Sequence, residues 1–187
     1  VSIEQTAYEI GLQRNVAFSF TKGSNITAQL TLNGLSRTVQ VDEQQKRIVS
    51  EAISVPTATQ MTYLLTLSNP LGSVDTSGAV NFMEPITGET RPDSLLIEQV
   101  AYEVGSQRNI AFNFSQGSNI TGQLILDGQP WVVQVDESQK RVVSQTISVL
   151  TPSQMTYMLT LSNLLGSENI SGLVDFMESI SGIIIFF

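Results

Sequence analysis

The chain contains no cysteine and no histidine. Without a thiol there is neither a disulfide framework nor a thiolate nucleophile, and without an imidazole the commonest general base is missing. The two absences together remove the usual ligands of zinc, haem and iron–sulfur clusters. Basic residues are scarce as well: nine Lys and Arg stand against 17 Asp and Glu, for a net charge of −8. Basic residues never run beyond the pairs Lys46-Arg47 and Lys140-Arg141. The footprint that nucleic-acid phosphates or an anionic membrane surface demands is therefore lacking, and neither is expected as a partner. No apolar run approaches the roughly 20 residues that cross a bilayer. The first residues, Val1-Ser2-Ile3-Glu4, lack the basic start and apolar stretch of a signal peptide. A soluble chain is expected, and one without an initiating Met is either processed or a piece of something longer.

What the sequence has is a repeat. Shifting it by 94 residues aligns Ile3–Gly88 with Ile97–Gly182 without a gap, and 56 of those 86 positions are identical. A repeat of this length is a complete small domain, unlike the short units of solenoids that need neighbours to cover their faces. Two domains are expected, 1–94 and 95–187, with the seam in the polar stretch Glu89-Thr-Arg-Pro-Asp-Ser94.

Inside each repeat the hydrophobic period is two. Val16, Phe18 and Phe20 alternate with smaller residues, as do Ile26, Ala28, Leu30 and Leu32, and then Met61, Tyr63, Leu65 and Leu67. Such alternation predicts half-buried strands. Shorter strands are expected at Thr38–Val41, Arg47–Val55 and Gly78–Met83, divided by turn chemistry such as Asn33-Gly34 and Asn69-Pro-Leu-Gly72. Ile3–Ile10 reads as a first strand or as a short helix. About seven strands per repeat predict an all-β fold of two tandem sandwiches.

The stretch Tyr63-Leu-Leu65-Thr-Leu67-Ser-Asn69-Pro-Leu-Gly72, repeated from Tyr157 to Gly166, resembles the sixth strand and following turn of intermediate-set immunoglobulin domains. Leu30-Thr-Leu-Asn-Gly34 is similar to the third strand of that family, with Leu30 where the family has Trp, and Phe20 falls where its first half-cystine stands. The resemblance implies a cysteine-less, immunoglobulin-like sandwich of the phage or bacterial type. It implies a corner hydrogen bond from the Tyr63 and Tyr157 hydroxyls to nearby backbone, and it transfers no catalytic residue.

Candidate chemistry is thin. The carboxylate pairs Asp42-Glu43 and Asp136-Glu137 sit side by side just ahead of Lys46-Arg47 and Lys140-Arg141, which reads as a solvated hairpin turn with local charge pairing. Glu84, Glu89, Asp93, Glu98 and Glu103 flank the seam, but no alternating Asp loop orders them for calcium. No metal, cofactor or catalytic residue is expected, and the chain reads as a non-enzyme.

The differences between the copies are more informative. Thr31, Arg37 and Thr38 become Ile125, Trp131 and Val132, making the second copy stickier. Strand parity points Ile125 and Val132 outward, as an apolar patch, and Trp131 inward. The second copy ends in Ile183-Ile184-Ile185-Phe186-Phe187, which should be covered by its own sandwich or by a neighbouring subunit. These eight residues are the candidate partner interface.

The expected function is that of a structural subunit in a symmetric assembly. A virion component of a phage, such as a capsid cement, decoration or tail protein, is the leading reading, with self-association or a capsid or tail protein as partner. A spacer or adhesive repeat of a bacterial surface or secreted protein is the alternative, placing the chain outside the cell. A carbohydrate-binding accessory module comes third, because only Trp131 could serve as a stacking platform.

Overall fold

A computed structural model describes residues 1–86 and 95–179. By packing, the chain divides into Val1–Glu84 and Pro85–Phe187. The seam expected at 94/95 borders residues 87–94, outside those described.

In the first unit the strands are β1 (Ser2–Ile3), β2 (Ala7–Glu9), β3 (Gln13–Arg14), β4 (Ala17–Ser19), β5 (Thr27–Leu32), β6 (Leu35–Arg37), β7 (Val39–Asp42), β8 (Arg47–Ser50), β9 (Ile53–Ser54), β10 (Thr59–Asn69) and β11 (Gly72–Met83). They build a four-stranded sheet, β1-β4-β8-β7, and a five-stranded sheet, β2-β11-β10-β5-β6; β3 and β9 pair separately. The second unit repeats this order. Its strands are β12 (Leu95–Ile97), β13 (Ala101–Glu103), β14 (Gln107–Arg108), β15 (Ala111–Phe114), β16 (Thr121–Leu126), β17 (Gln129–Trp131), β18 (Val133–Asp136), β19 (Arg141–Ser144), β20 (Ile147–Ser148), β21 (Ser153–Asn163) and β22 (Gly166–Met177). Its sheets run β12-β15-β19-β18 and β13-β22-β21-β16-β17. One sheet of first, second, fifth and fourth strands facing another of third, sixth and seventh is the immunoglobulin arrangement. Each unit is an immunoglobulin-like β-sandwich.

The turn residues explain the hairpins. Asn33 and Gly34 both have positive φ, 48° and 76°, as do Asp127 and Gly128 at 45° and 76°. That is the backbone a two-residue hairpin needs, and Asn-Gly or Asp-Gly adopts it at little cost. Asn33 Oδ1 also accepts the Thr62 amide at 2.8 Å, tying the turn to the neighbouring strand.

Alternation fills the space between the sheets. Phe18, Leu30, Leu65, Val80 and Phe82 are buried, and Leu30 lies directly opposite Leu65. Leu30 thus occupies the place where the resembled family has a core tryptophan. Phe18 meets Tyr63 edge-on at 5.1 Å between ring centres, and Phe112 meets Tyr157 at 5.4 Å. Ser50 and Ser144 are buried polar exceptions, each hydroxyl accepting a backbone amide and donating to a carbonyl.

Three expectations are corrected. The segment Ile3–Ile10 is neither one strand nor a helix: β1 pairs antiparallel with β4, and β2 pairs parallel with β11 in the other sheet. The last strand starts at Gly72 rather than Gly78, because the two-residue turn Pro70-Leu71 lets β10 and β11 pair along their whole length. Among the described residues the Tyr63 and Tyr157 hydroxyls make no corner hydrogen bond. Each rests instead on a glycine, where a Cβ on Gly78 or Gly172 would stand 2.8 Å from the phenolic oxygen.

Candidate functional site

The carboxylates of the β7–β8 and β18–β19 hairpins are committed to structure. Asp42 Oδ1 accepts the amides of Gln44 and Gln45, each at 2.9 Å, and Glu43 Oε1 accepts the Ile26 amide at 2.7 Å. Asp136 is held below its ordinary carboxylate range, chiefly by the Ser138 hydroxyl. The charge pairing is not local to the turn, contrary to expectation. Arg47 grips Glu4 on β1 with contacts of 2.8 to 3.0 Å, and Arg141 grips Glu98 with contacts of 2.6 and 2.8 Å. These hydrogen bonds lower both glutamate pKa values. Lys46 lies over the Phe20 ring at 5.4 Å and donates to the Gly23 carbonyl. No carboxylate in these hairpins is set up as an acid, base or nucleophile.

Of the residues considered for calcium, Glu98 pairs with Arg141 and Glu103 with Arg108, while Glu89 and Asp93 lie outside the described residues. Among the described residues no three Asp or Glu side chains converge as metal ligands.

Three of the eight proposed interface residues fall in the described part. Ile125 is half-buried on the outer face of the five-stranded sheet of the second unit, directly opposite Pro130 on β17 and Met158 on β21. Leu173 shares this face across from Thr156, so Ile125, Met158 and Leu173 form an apolar outer surface where the first unit has Thr31, Leu64 and Ala79. Val132 is 66% exposed but lies on neither sheet: it is the one residue between β17 and β18, where the chain crosses over. Trp131 sits opposite Leu124 and packs on the core. Its counterpart Arg37 pairs with Glu51 at 3.7 Å, and the second copy replaces both members, with Trp131 and Gln145. Ile183, Ile184, Ile185, Phe186 and Phe187 lie outside the described residues.

A cleft at one end of the first unit was not foreseen. It has a volume of about 390 Å³ and is lined by Val1, Phe20, Gly23, Ile26, Leu67 and Leu71, among others. Leu71 is 95% exposed at its rim. The signal was an apolar residue in the tight turn after Asn69, a place usually given to polar residues. The framework is rigid: Lys46 Nζ donates to the Gly23 carbonyl at 3.0 Å, the Ile26 amide to Glu43, and Asn69 Nδ2 to the Ser24 carbonyl at 3.3 Å. The second unit reproduces these three bonds with Lys140, Ile120 and Asn163.

Comparison with known proteins assigns this chain to no family. No protein-family profile matches this sequence, and no curated protein matches it. Solved structures that resemble it include the titin I-band fragment I67-I69, at 13% identity and a TM-score of 0.45, over 95% of this chain and 64% of that one. The titin tandem A164-A165 matches at 10% identity and a TM-score of 0.41, over 95% and 97%. The ICAM-5 D1-D4 ectodomain fragment matches at 12% identity and a TM-score of 0.49, over 92% and 51%. At such identities and scores these likenesses assign no role to this chain.

Proposed function

We propose that this chain is a non-enzymatic structural subunit that works through protein–protein contact, as a virion component of a phage such as a capsid cement, decoration or tail protein. The observation that carries the reading is the asymmetry between two nearly identical sandwiches. On the outer face Thr31 of the first copy is replaced by Ile125 and Ala79 by the larger Leu173, on either side of a position apolar in both copies, Leu64 and Met158, while the core is retained in both. Drift alone does not favour exposed apolar replacements, whereas a partner surface does. Val132 and the Ile183–Phe187 segment belong to the same proposed interface. Trp131 supports it from within by fixing the edge of the sheet that carries Ile125.

A surface spacer or adhesin is the second reading, favoured by the 94-residue period, since arrays of such domains form stalks. A carbohydrate-binding module draws no support from Trp131, whose ring packs on the core. The test is the solution mass of the intact chain and of one lacking residues 178–187, by light scattering, together with immunogold labelling of purified particles and of cell envelopes. Ordered oligomers that dissociate on truncation, with label on particles, are expected. An elongated monomer in both cases, with label on envelopes, would transfer the assignment to the spacer.

A further inference from the structure

The second unit shows what the cleft of the first unit is shaped to hold. Ile86 precedes β12, yet it is only 8% exposed and belongs to that unit's core cluster with Leu95, Phe114, Ile120 and Leu161. A Cβ on Gly117 would stand 3.0 Å from Ile86 Cγ1, so the isoleucine lies directly over this glycine. Subtracting 94 from Leu95, Phe114, Gly117, Ile120 and Leu161 gives Val1, Phe20, Gly23, Ile26 and Leu67, the lining of the open cleft.

Among the described residues the same site is therefore filled in the second unit and open in the first. Among the described residues a Cβ on Gly23 would meet only Ile26 within 4 Å. Leu71 is 95% exposed where Leu165 is half-buried. The hydrogen-bonded framework is shared, so the difference lies in the occupant. Ile86 ends the sequence Met83-Glu-Pro-Ile86, and its only other copy in the chain is Met177-Glu-Ser-Ile180.

We propose that the cleft of the first unit is a socket for the Met177–Ile180 segment of a second copy of this chain, joining molecules head to tail. The proposal rests on the reading of the chain as an assembling subunit and names the contact that assembles it. Among the described residues the site in the second unit is taken by Ile86, which leaves the cleft of the first unit as the socket. The contact is heterologous and does not close on itself as a two-fold dimer would, so it propagates.

The experiment uses the full chain and two variants, Leu71→Asp at the socket rim and Ile180→Asp on the inserting segment. Leu71 is exposed in a turn, and circular dichroism verifies that both variants fold. Sedimentation velocity over a concentration series should show wild type growing beyond the dimer. Each variant alone should associate roughly a hundredfold more weakly, because a carboxylate would have to be buried unpaired. Mixed in equal amounts, the two variants should form a heterodimer and nothing larger, the intact segment of one entering the intact socket of the other. Association that is undiminished in both variants would overturn the socket while leaving the subunit reading in place. A wild type that stays monomeric throughout would overturn both.

Discussion

Gly78 and Gly172 carry a requirement that composition hides. Neither has positive φ, so the constraint is space: the Tyr63 and Tyr157 rings lie where a side chain would go, with ring atoms 2.8 to 3.0 Å from the ideal Cβ. Both tyrosines are held edge-on by a buried phenylalanine, so the rings have little room to yield. Gly78→Ala should therefore destabilise the first unit by about 1–3 kcal/mol, the ordinary cost of overpacking. Urea unfolding measures this, and an unchanged midpoint would mean that the ring moves freely. The resemblance to immunoglobulin domains pointed to these tyrosines but not to what they touch. Loss of the corner hydrogen bond follows from the glycine beneath the ring, which a motif of five spaced residues does not encode.

At the level of elements, the short β1 is fastened by a side chain rather than by a long ladder. It pairs with β4 over two residues, and Glu4 just beyond it is gripped by Arg47 of β8. The hydrogen bond from Arg47 lowers the Glu4 pKa below its ordinary 4.5, and Arg141 does the same to Glu98. A carboxyl depressed in the folded state contributes stability that is present above its unfolded pKa and lost as pH falls through the folded one. The thermal midpoint of wild type should accordingly drop below about pH 4.5 more than that of Glu4→Gln/Glu98→Gln. Equal acid limbs in scanning calorimetry would show that the grip adds nothing. Much of the element structure was legible, because alternation in Thr27–Leu32 and Thr59–Asn69 fixes both the strands and their inner faces. The division of Ile3–Ile10 between sheets was not, since residues of similar polarity serve either sheet and only the partners decide. Nor was the apolar surface around Ile125 fully legible. Parity gave its direction, but Met158 and Leu173 join it through register, which depends on pairing across strands.

For the whole molecule, the sequence repeat made two sandwiches evident, while the packing boundary between Glu84 and Pro85 lies inside the repeat rather than at its end. Ile86 is counted by sequence with the first copy and packs in the core of the second. Ile86→Ala should cost the second unit about 2–5 kcal/mol, the range for emptying a buried aliphatic site, and leave the first unit unchanged. Hydrogen exchange resolved by residue separates the two. Equal loss of protection in Phe18 and Phe112, equivalent core positions, would contradict the assignment.

The stretch of gene that was duplicated and the stretch of chain that packs together are thus out of phase by a few residues. Duplicating one 94-residue period carries with it the isoleucine that the following sandwich needs. Each added period would bring the closing residue for its successor and inherit one from its predecessor. A family built this way can change copy number in a single genetic event without leaving any internal sandwich unfilled.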